Sequence, residues 1–383
     1  MTGESEALIA EIRDVADLEL VAAWRDLYAR SLEPNIFLDP DFARPALGYL
    51  RPHGLKIMTV FETGQNRLLA LAPVVPPTVP FGLARVYVHK QAALGLPLLA
   101  KDVAGPALAK LVDAVRALHG APSALVFSEI PRDGPTFRLL NEIFGEKRRI
   151  HILGQYERPA LLLAAAEHRV RSKTKGDKNS FRRLRRLGER GALSYRIARD
   201  AEVAGALTEF LALESSGWKG MSKTALASAP DRAGFVKAMA ESFARDGKLQ
   251  IESLDLDGKA VAMGLLIEDA GAGYFWKIAY DEAYAAQSPG ILLVRELTGR
   301  LSAHRTLRAI DSCAAAEHPM IDHIWPERIT ILDVGINLAD DPRGRIAIAA
   351  ESLRRSLRKS AKRLLRRNAS GKAPIAGSWR ARS

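Results

Sequence analysis

A single cysteine, Cys313, occurs in 383 residues. One thiol excludes an intramolecular disulfide framework and a Cys-rich zinc site, and it suits a reducing compartment, so a cytoplasmic location is expected. Long apolar runs are missing too, since no stretch reaches the roughly 18 uninterrupted apolar residues of a membrane span. The opening residues, MTGESEALIAEIRD, lack the basic and then apolar order of a secretory signal. The expectation is a chain neither exported by that route nor threaded through a membrane.

Acidic residues are fewer than basic ones, 44 against 56, and the formal net charge is +12. That excess is local. Residues 345–383 hold twelve Lys/Arg against one acid, and residues 169–190 hold ten against two, so the remainder of the chain is mildly acidic at −7. The basicity belongs to two short segments. With 48% hydrophobic residues the chain can bury a sizeable core, and its length exceeds what one ordinary core holds, which predicts two globular units.

The same order of elements recurs about 190 residues apart. DLELVAAWRDLYARS carries Leu20, Ala23, Trp24, Leu27 and Tyr28 at helical spacing and precedes two apolar runs around a polar turn, LKIMTVFETGQNRLLALAPVV. AEVAGALTEFLALESSGW likewise precedes LQIESLDLDGKAVAMGLLIED, where Asp257-Gly258 is a strong hairpin turn. A strand follows each hairpin (ARVYVHK; AGYFWKIAY), then a glycine-containing corner (ALGLPLL; QSPGILL), a helix (VAGPALAKLVDAVRAL; ILLVRELTGRLSA) and a further strand (SALVFSEI; LRAIDSCA). This alternation predicts a duplicated α/β unit, with mixed sheets flanked by helices and a boundary near residue 165. The expected layout is a first unit over 1–165, a second over 166–344, and a basic helical tail with a disordered end over 345–383.

The second corner raises a chemical question. Ser288 suits an N-cap, Pro289 suits the first helical position because its missing N–H would be unpaired anyway, and Gly290 lets a ligand approach the backbone. A helix start of this kind presents unpaired N–H groups, here those of Gly290, Ile291 and Leu292, to an anion such as phosphate. Without a ligand the same residues make an ordinary capped helix start. In the first corner Pro97 stands where the second has Leu292, and no capping hydroxyl is present, so that unit is expected to be degenerate and structural.

Several stretches carry a family resemblance over roughly residues 10–340: PNIFLDPDF, KNSFRRLRRLGERGALSYRIA, LESSGWKG, YFWKIAYDEAYAAQSPGILL and IDSCAAAEHPMIDHIWPER. The chain resembles the bacterial CelD/BcsL-like group of the GNAT acyltransferase superfamily, whose members carry two GNAT-like units as the FemABX aminoacyl-ligases do. GNAT proteins hold the diphosphate of acyl-CoA with a Q/R-x-x-G-x-G/A loop. Gln287, Gly290 and Leu292 fall on that frame, with leucine departing from the small residue at the last position. The resemblance therefore implies binding of acetyl-CoA or another acyl-CoA, with Gln287, Ser288, Gly290, Ile291 and Leu292 as its contacts and no metal.

The chemistry so implied is direct attack of an amine or hydroxyl on a thioester, which needs a held donor, a backbone N–H that polarises the carbonyl, and a group to accept the proton. Candidate catalytic residues are Glu214, Lys277, Tyr280 and Asp311, the last beyond the carboxyl end of a strand, where α/β sheets place functional groups. Each acid also reads as a solvated or paired surface group, and Lys277 as a lysine whose stem packs on the sheet while its ammonium reaches water. Trp218, Lys219, Asp281 and His318 are candidate acceptor contacts, with core packing as the other reading of Trp218. Cys313, His318 and His323 sit close in sequence, but their spacing matches no usual metal-ligand pattern, and a buried cysteine with loop histidines is the plainer account.

Two basic segments remain. In RVRSKTKGDKNSFRRLRRLGERG, Phe181, Leu184 and Leu187 recur at helical spacing, so one face can pack while arginines cover the rest; a structural helix, a tRNA-contacting arm and a surface for an acidic glycan or lipid headgroup all stay open. In the tail, Ile346, Ala350, Leu353, Leu357, Ala361 and Leu364 form one stripe amid dense positive charge over 345–367. That is the pattern of an interfacial helix attracted to an anionic membrane surface, here the inner face of the cell membrane, although nucleic acid would draw the same charges and a merely solvated helix would show the same pattern. The expected function is acyl-CoA-dependent N- or O-acyl transfer to a small-molecule or glycan acceptor in cell-envelope or polysaccharide metabolism, the pathway coming from the resemblance only. The alternatives are a FemABX-like transferase using charged tRNA and a non-catalytic GNAT-like scaffold of a polysaccharide-synthesis complex.

Overall fold

The computed structural model describes residues 8–64, 66–146, 149–164, 175–302, 307–316, 318, 320–338 and 342–370, and the expected boundary at 165 lies outside them. The first half runs β1 (Leu8–Arg13), α1 (Leu18–Ala29), α2 (Pro40–Tyr49), β2 (Lys56–Glu62), β3 (Leu68–Val75), β4 (Leu83–Val86), β5 (Leu98–Leu99), α3 (Ala104–Val115), β6 (Ala124–Pro131), α4 (Pro135–Phe144) and β7 (Ile150–Leu162). The second half runs α5 (Lys175–Gly188), β8 (Leu193–Ala198), α6 (Val203–Ser216), the short α7 (Trp218–Met221), α8 (Pro230–Arg245), β9 (Leu249–Leu256), β10 (Lys259–Asp269), β11 (Ala272–Tyr280), α9 (Pro289–Ser302), β12 (Ala309–Asp311), β13 (Glu327–Asn337) and α10 (Pro342–Ser370).

Local chemistry accounts for most of these elements. Asp17 caps α1 by accepting from the N–H groups of Glu19 and Leu20, and the buried Leu20, Trp24, Leu27 and Tyr28 form the expected core-facing stripe. Asp39 caps α2, whose first residue is a proline. Asp257 and Gly258 both take positive φ, 51° and 76°, which is what a two-residue turn between β9 and β10 requires.

The strands form one mixed sheet, in the order β1-β2-β3-β4-β6-β13-β7-β12-β11-β10-β9-β8, with β5 attached to β3. The two ends of this order mirror each other. The centre is an exchange: β13, from the end of the chain, pairs antiparallel with β6 of the first half, and β7, from the first half, pairs antiparallel with β12 of the second. β7 and β13 then pair with each other from Ile150↔Ile336 to Ala160↔Glu327, which locks the halves together by main-chain hydrogen bonds.

The halves also share a core. Phe42 of α2 meets Phe235 and Phe243 of α8 and Trp276 of β11, and His89 stacks its edge on Phe235 with ring centroids 5.2 Å apart. The Trp276 indole N–H donates to the carbonyl of Gln91 at 2.6 Å. No helix among the described residues is long and apolar enough to cross a membrane.

The basic helix α5 corrects one expectation. Of the three residues expected to pack, only Leu187 is buried; Phe181 and Leu184 are exposed.

Candidate functional site

The site grows from a defect in β11. Its register with β10 shifts between Leu265↔Lys277 and Leu266↔Phe275, leaving Trp276 as the extra residue of a bulge. On its other side β11 pairs in parallel with β12 only from Ala272↔Ala309 to Tyr274↔Asp311. From Phe275 to Tyr280 that edge of β11 has no strand beside it among the described residues, and β12 gives way to the segment beginning Ser312-Cys313. The two chains part as a wedge.

Lys277 lies on this unpaired stretch of β11, partly exposed, with its ammonium 5.0 Å from the Trp276 ring centroid and no ion pair among the described residues. Burial pulls its pKa down to about 8 and repulsion from Lys219 adds to the drop, while Glu214 and Cys313 oppose it. Burial also pushes the Cys313 thiol well above its ordinary pKa, which keeps it neutral and unreactive.

Glu214 is buried, with one oxygen accepting from Lys219 Nζ at 2.9 Å and the other from the N–H of Leu226 at 2.6 Å. Lys219 also donates to the Ile278 carbonyl at 3.0 Å. This pair ties α6 and α7 to the open part of β11. Asp311 is engaged as well: it accepts from Arg158 at 2.6 Å and from the N–H of Cys313 at 2.8 Å. His318 accepts weakly through Nδ1 from the N–H groups of Met320 and Ile321, both at 3.4 Å, and burial lowers its pKa against the pull of Asp322, with Lys219 lowering it further. Asp281 caps the turn Glu282–Gln287 by accepting from Ala283 N–H. Trp218 is exposed rather than packed in the core, and its N–H donates to Glu282 at 2.7 Å.

The helix-start corner differs from its sequence expectation. Ser288 adopts φ 52°, and its hydroxyl donates to the Ala285 carbonyl rather than capping the helix. Its own carbonyl accepts from Ile291 and Leu292 N–H at 3.0 and 3.3 Å. Two of the three amides expected to face an anion are thus already paired, because the carbonyl of the residue before a helix accepts the first intrahelical N–H groups. Gly290 is buried, and a Cβ there would meet Met320, Ile278 and Tyr280 at 3.4 to 3.6 Å. The Gln287 side-chain oxygen is buried without a hydrogen-bond partner among the described residues. The corner thus retains one amide and one orphaned acceptor, a weaker anion site than three free N–H groups.

Residues 174–318 match the family model of the acetyltransferase (GNAT) domain. The GNAT segment runs from the start of α5 through the wedge and the α9 corner to His318, so Glu214, Lys219, Lys277, Gly290 and Asp311 all lie inside it. No curated protein matches the chain in sequence. Solved structures share its fold. The C-terminal domain of a putative lysylphosphatidylglycerol synthetase from Agrobacterium fabrum superposes with TM-score 0.51 at 13% identity, over 86% of this chain and 95% of its own. L-PGS from Bacillus licheniformis gives 0.51 at 12%, over 90% and 98%, and FemX gives 0.52 at 9%, over 85% and 96%. At these identities the likeness concerns the fold alone.

Four residues absent from the sequence reading border this region. Arg158 on β7, fully buried, joins Asp311, the Ala93 carbonyl at 2.9 Å and, at 3.6 Å, Glu129, which in turn accepts from the Tyr156 hydroxyl. His89 is buried with Nδ1 accepting from Gln91 N–H, which puts its proton on Nε2, where no partner is found among the described residues. Burial, reinforced by Lys277 and Lys90, lowers His89 to about 4. A small pocket that His89 borders is lined only by residues within 35–96, none of them in the GNAT segment. An arginine in YERPALL carries no local sign of burial; only the strand exchange puts it beside Asp311.

Proposed function

We propose that the second half is an acyltransferase that moves an acyl group from acetyl-CoA or a longer acyl-CoA to an amine or hydroxyl acceptor by direct attack on the thioester. The observation that carries this reading is the match of residues 174–318 to the acetyltransferase (GNAT) domain, a segment that contains the β11–β12 wedge. Gln287, Gly290 and the start of α9 would hold the donor's diphosphate, and an edge N–H of β11 beyond Tyr274 would polarise the thioester carbonyl. Lys277 is the proton acceptor, because its pKa is depressed and it makes no ion pair among the described residues. Glu214 and Asp311, both oxygens engaged, are positioning groups; Tyr280 packs beside Gly290. The acceptor, a small molecule or glycan of cell-envelope or polysaccharide metabolism, follows only from the CelD/BcsL-like resemblance, with Trp218, Asp281 and His318 as its nearest polar and aromatic contacts.

Calorimetric titration of acetyl-CoA and longer acyl-CoAs into the wild-type chain and a Gly290→Glu variant tests this. Binding by wild type that the variant loses supports the reading; silence of both toward every thioester overturns it in favour of a scaffold role. A second reading, transfer from charged tRNA, is favoured by the exposed Phe181 and Leu184 among the arginines of α5. It predicts tRNA binding that weakens steeply with salt and disappears when Arg182, Arg183, Arg185 and Arg186 are replaced.

A further inference from the structure

α10 is turned the opposite way from an ordinary surface helix. Its docked face consists of Gly344, Ile348, Glu351 and Arg355. Ile348 packs with Ala124, Val126 and Leu153 of the central strands. Glu351 is buried and accepts from Arg85, Arg354 and Arg355, with shortest approaches of 2.9, 2.6 and 2.7 Å. Burial alone would raise the pKa of Glu351, but hydrogen bonds from Arg354, Arg85 and Arg355 outweigh it and hold the carboxyl far below its usual range. Arg355 reaches on to Asp333 of β13.

At about 100° per residue, the stripe of Ile346, Ala350, Leu353 and Leu357 lies about 180° around the helix from that docked face. It is bare: Ile346 is 66% exposed and Leu353 and Leu357 are each 62% exposed. A helix that only needed a core would have packed this stripe inward. α10 holds ten Lys/Arg and one acid, and that acid is consumed in the docked face.

We propose that this outward face of α10 docks on the surface of a bilayer containing anionic phospholipid, with Ile346, Leu353 and Leu357 entering the headgroup boundary and the flanking cations meeting lipid phosphates. Charge and shape decide among occupants. A second copy would press arginines against arginines around the same stripe. A nucleic acid would pair with the cations but leave the three aliphatic side chains in water. An anionic bilayer satisfies both the stripe and its flanks, and cationic side chains beside the stripe can extend their heads toward the lipid phosphates while their stems stay apolar.

Flotation of the full chain with vesicles is the test, comparing phosphatidylcholine alone with a mixture containing about a third phosphatidylglycerol. Wild type should float with the anionic vesicles, less so as salt is raised, and remain below with phosphatidylcholine. The double variant Leu353→Glu/Leu357→Glu should bind roughly a hundred-fold more weakly, since two exposed leucines lose their burial, while unfolding at the wild-type denaturant midpoint. Its acyl-CoA titration should match wild type, which separates this proposal from the transferase reading. Equal flotation of the variant, or no flotation of wild type, overturns the proposal. Wild type that ignores vesicles but binds an RNA duplex, or that self-associates until the leucines are replaced, overturns it in favour of that partner.

Discussion

The two corners of the duplicated fold occupy matching places and have opposite fates. In the first half, β4 leaves its parallel partner β6 after Arg85↔Val126, and the chain that follows fills the gap. Gly95 sits so close to β6 that an added Cβ would lie 2.0 Å from the Ser128 carbonyl, and its N–H donates to the Glu129 carbonyl. No helix starts there: Leu98–Leu99 joins β3, and α3 begins only at Ala104. In the second half β11 runs on to Tyr280, a helix starts at Pro289, and the gap is lined by Lys277 and Cys313. In one copy backbone packs into the gap beside the parallel pair; in the other the strand next to the gap carries a lysine that makes no ion pair among the described residues. Duplication thus supplied a frame, and the chain after one strand decided what lines the gap beside it.

The largest expected effect tests the seam between the copies. Arg158→Met leaves Asp311 buried without its partner and should cost about 3 to 5 kcal/mol in chemical denaturation. A cost below about 1 kcal/mol would show that the exchanged strands, and not this ion pair, hold the halves together. Next, Gly95→Ala should destabilise by about 3 kcal/mol because backbone must move, whereas Gly290→Ala, whose new methyl meets only side chains at contact distance, should cost under about 1 kcal/mol. Similar costs at both positions would erase the difference between the two corners.

Lys277→Met should lower the transfer rate by about a hundred-fold or more without a matching loss of stability. In the wild type the neutral amine grows in as pH rises through about 8, so the rate should climb through that pH and level off above it, and the variant should lack this limb. A wild-type profile flat across pH 8 would remove Lys277 from proton transfer. The smallest effect concerns His89, whose pKa in the folded chain, about 4, lies below its ordinary 6.5. The unfolded chain therefore takes up the proton first on acidification. Stability is full above pH 6.5 and is lost as pH falls toward 4, by roughly 2 kcal/mol at pH 5. His89→Phe should flatten that limb in urea titrations at pH 7 and pH 5.

Much of the frame was legible in advance. α1 and α6, the hairpins β2–β3 and β9–β10, and the strand, corner, helix and strand after each were readable from apolar spacing and from Asp257-Gly258, because these signals act over a few neighbouring residues. α2 and α8, which join the halves, went unread, since PNIFLDPDF and the stretch after Pro230 carry their meaning only once Phe42 and Phe235 meet. At the site, the sequence picked out Lys277, Glu214 and Lys219. It did not show that Glu214 is spent on Lys219 and Leu226. The helix-start corner offers three amides in the sequence, and the Ser288 carbonyl closes two of them.

Local spacing and charge by themselves determined the repeat, the hairpins, the α9 start and the amphipathic character of α10, because each is written in residues within a few positions of one another. Tertiary structure alone decided the exchange of β7 and β13, the burial of Arg158 against Asp311, and the direction in which α10 turns its stripe. Those outcomes depend on pairings between residues 147 or more positions apart, or on which face of a helix finds a complementary surface, and no local pattern encodes either.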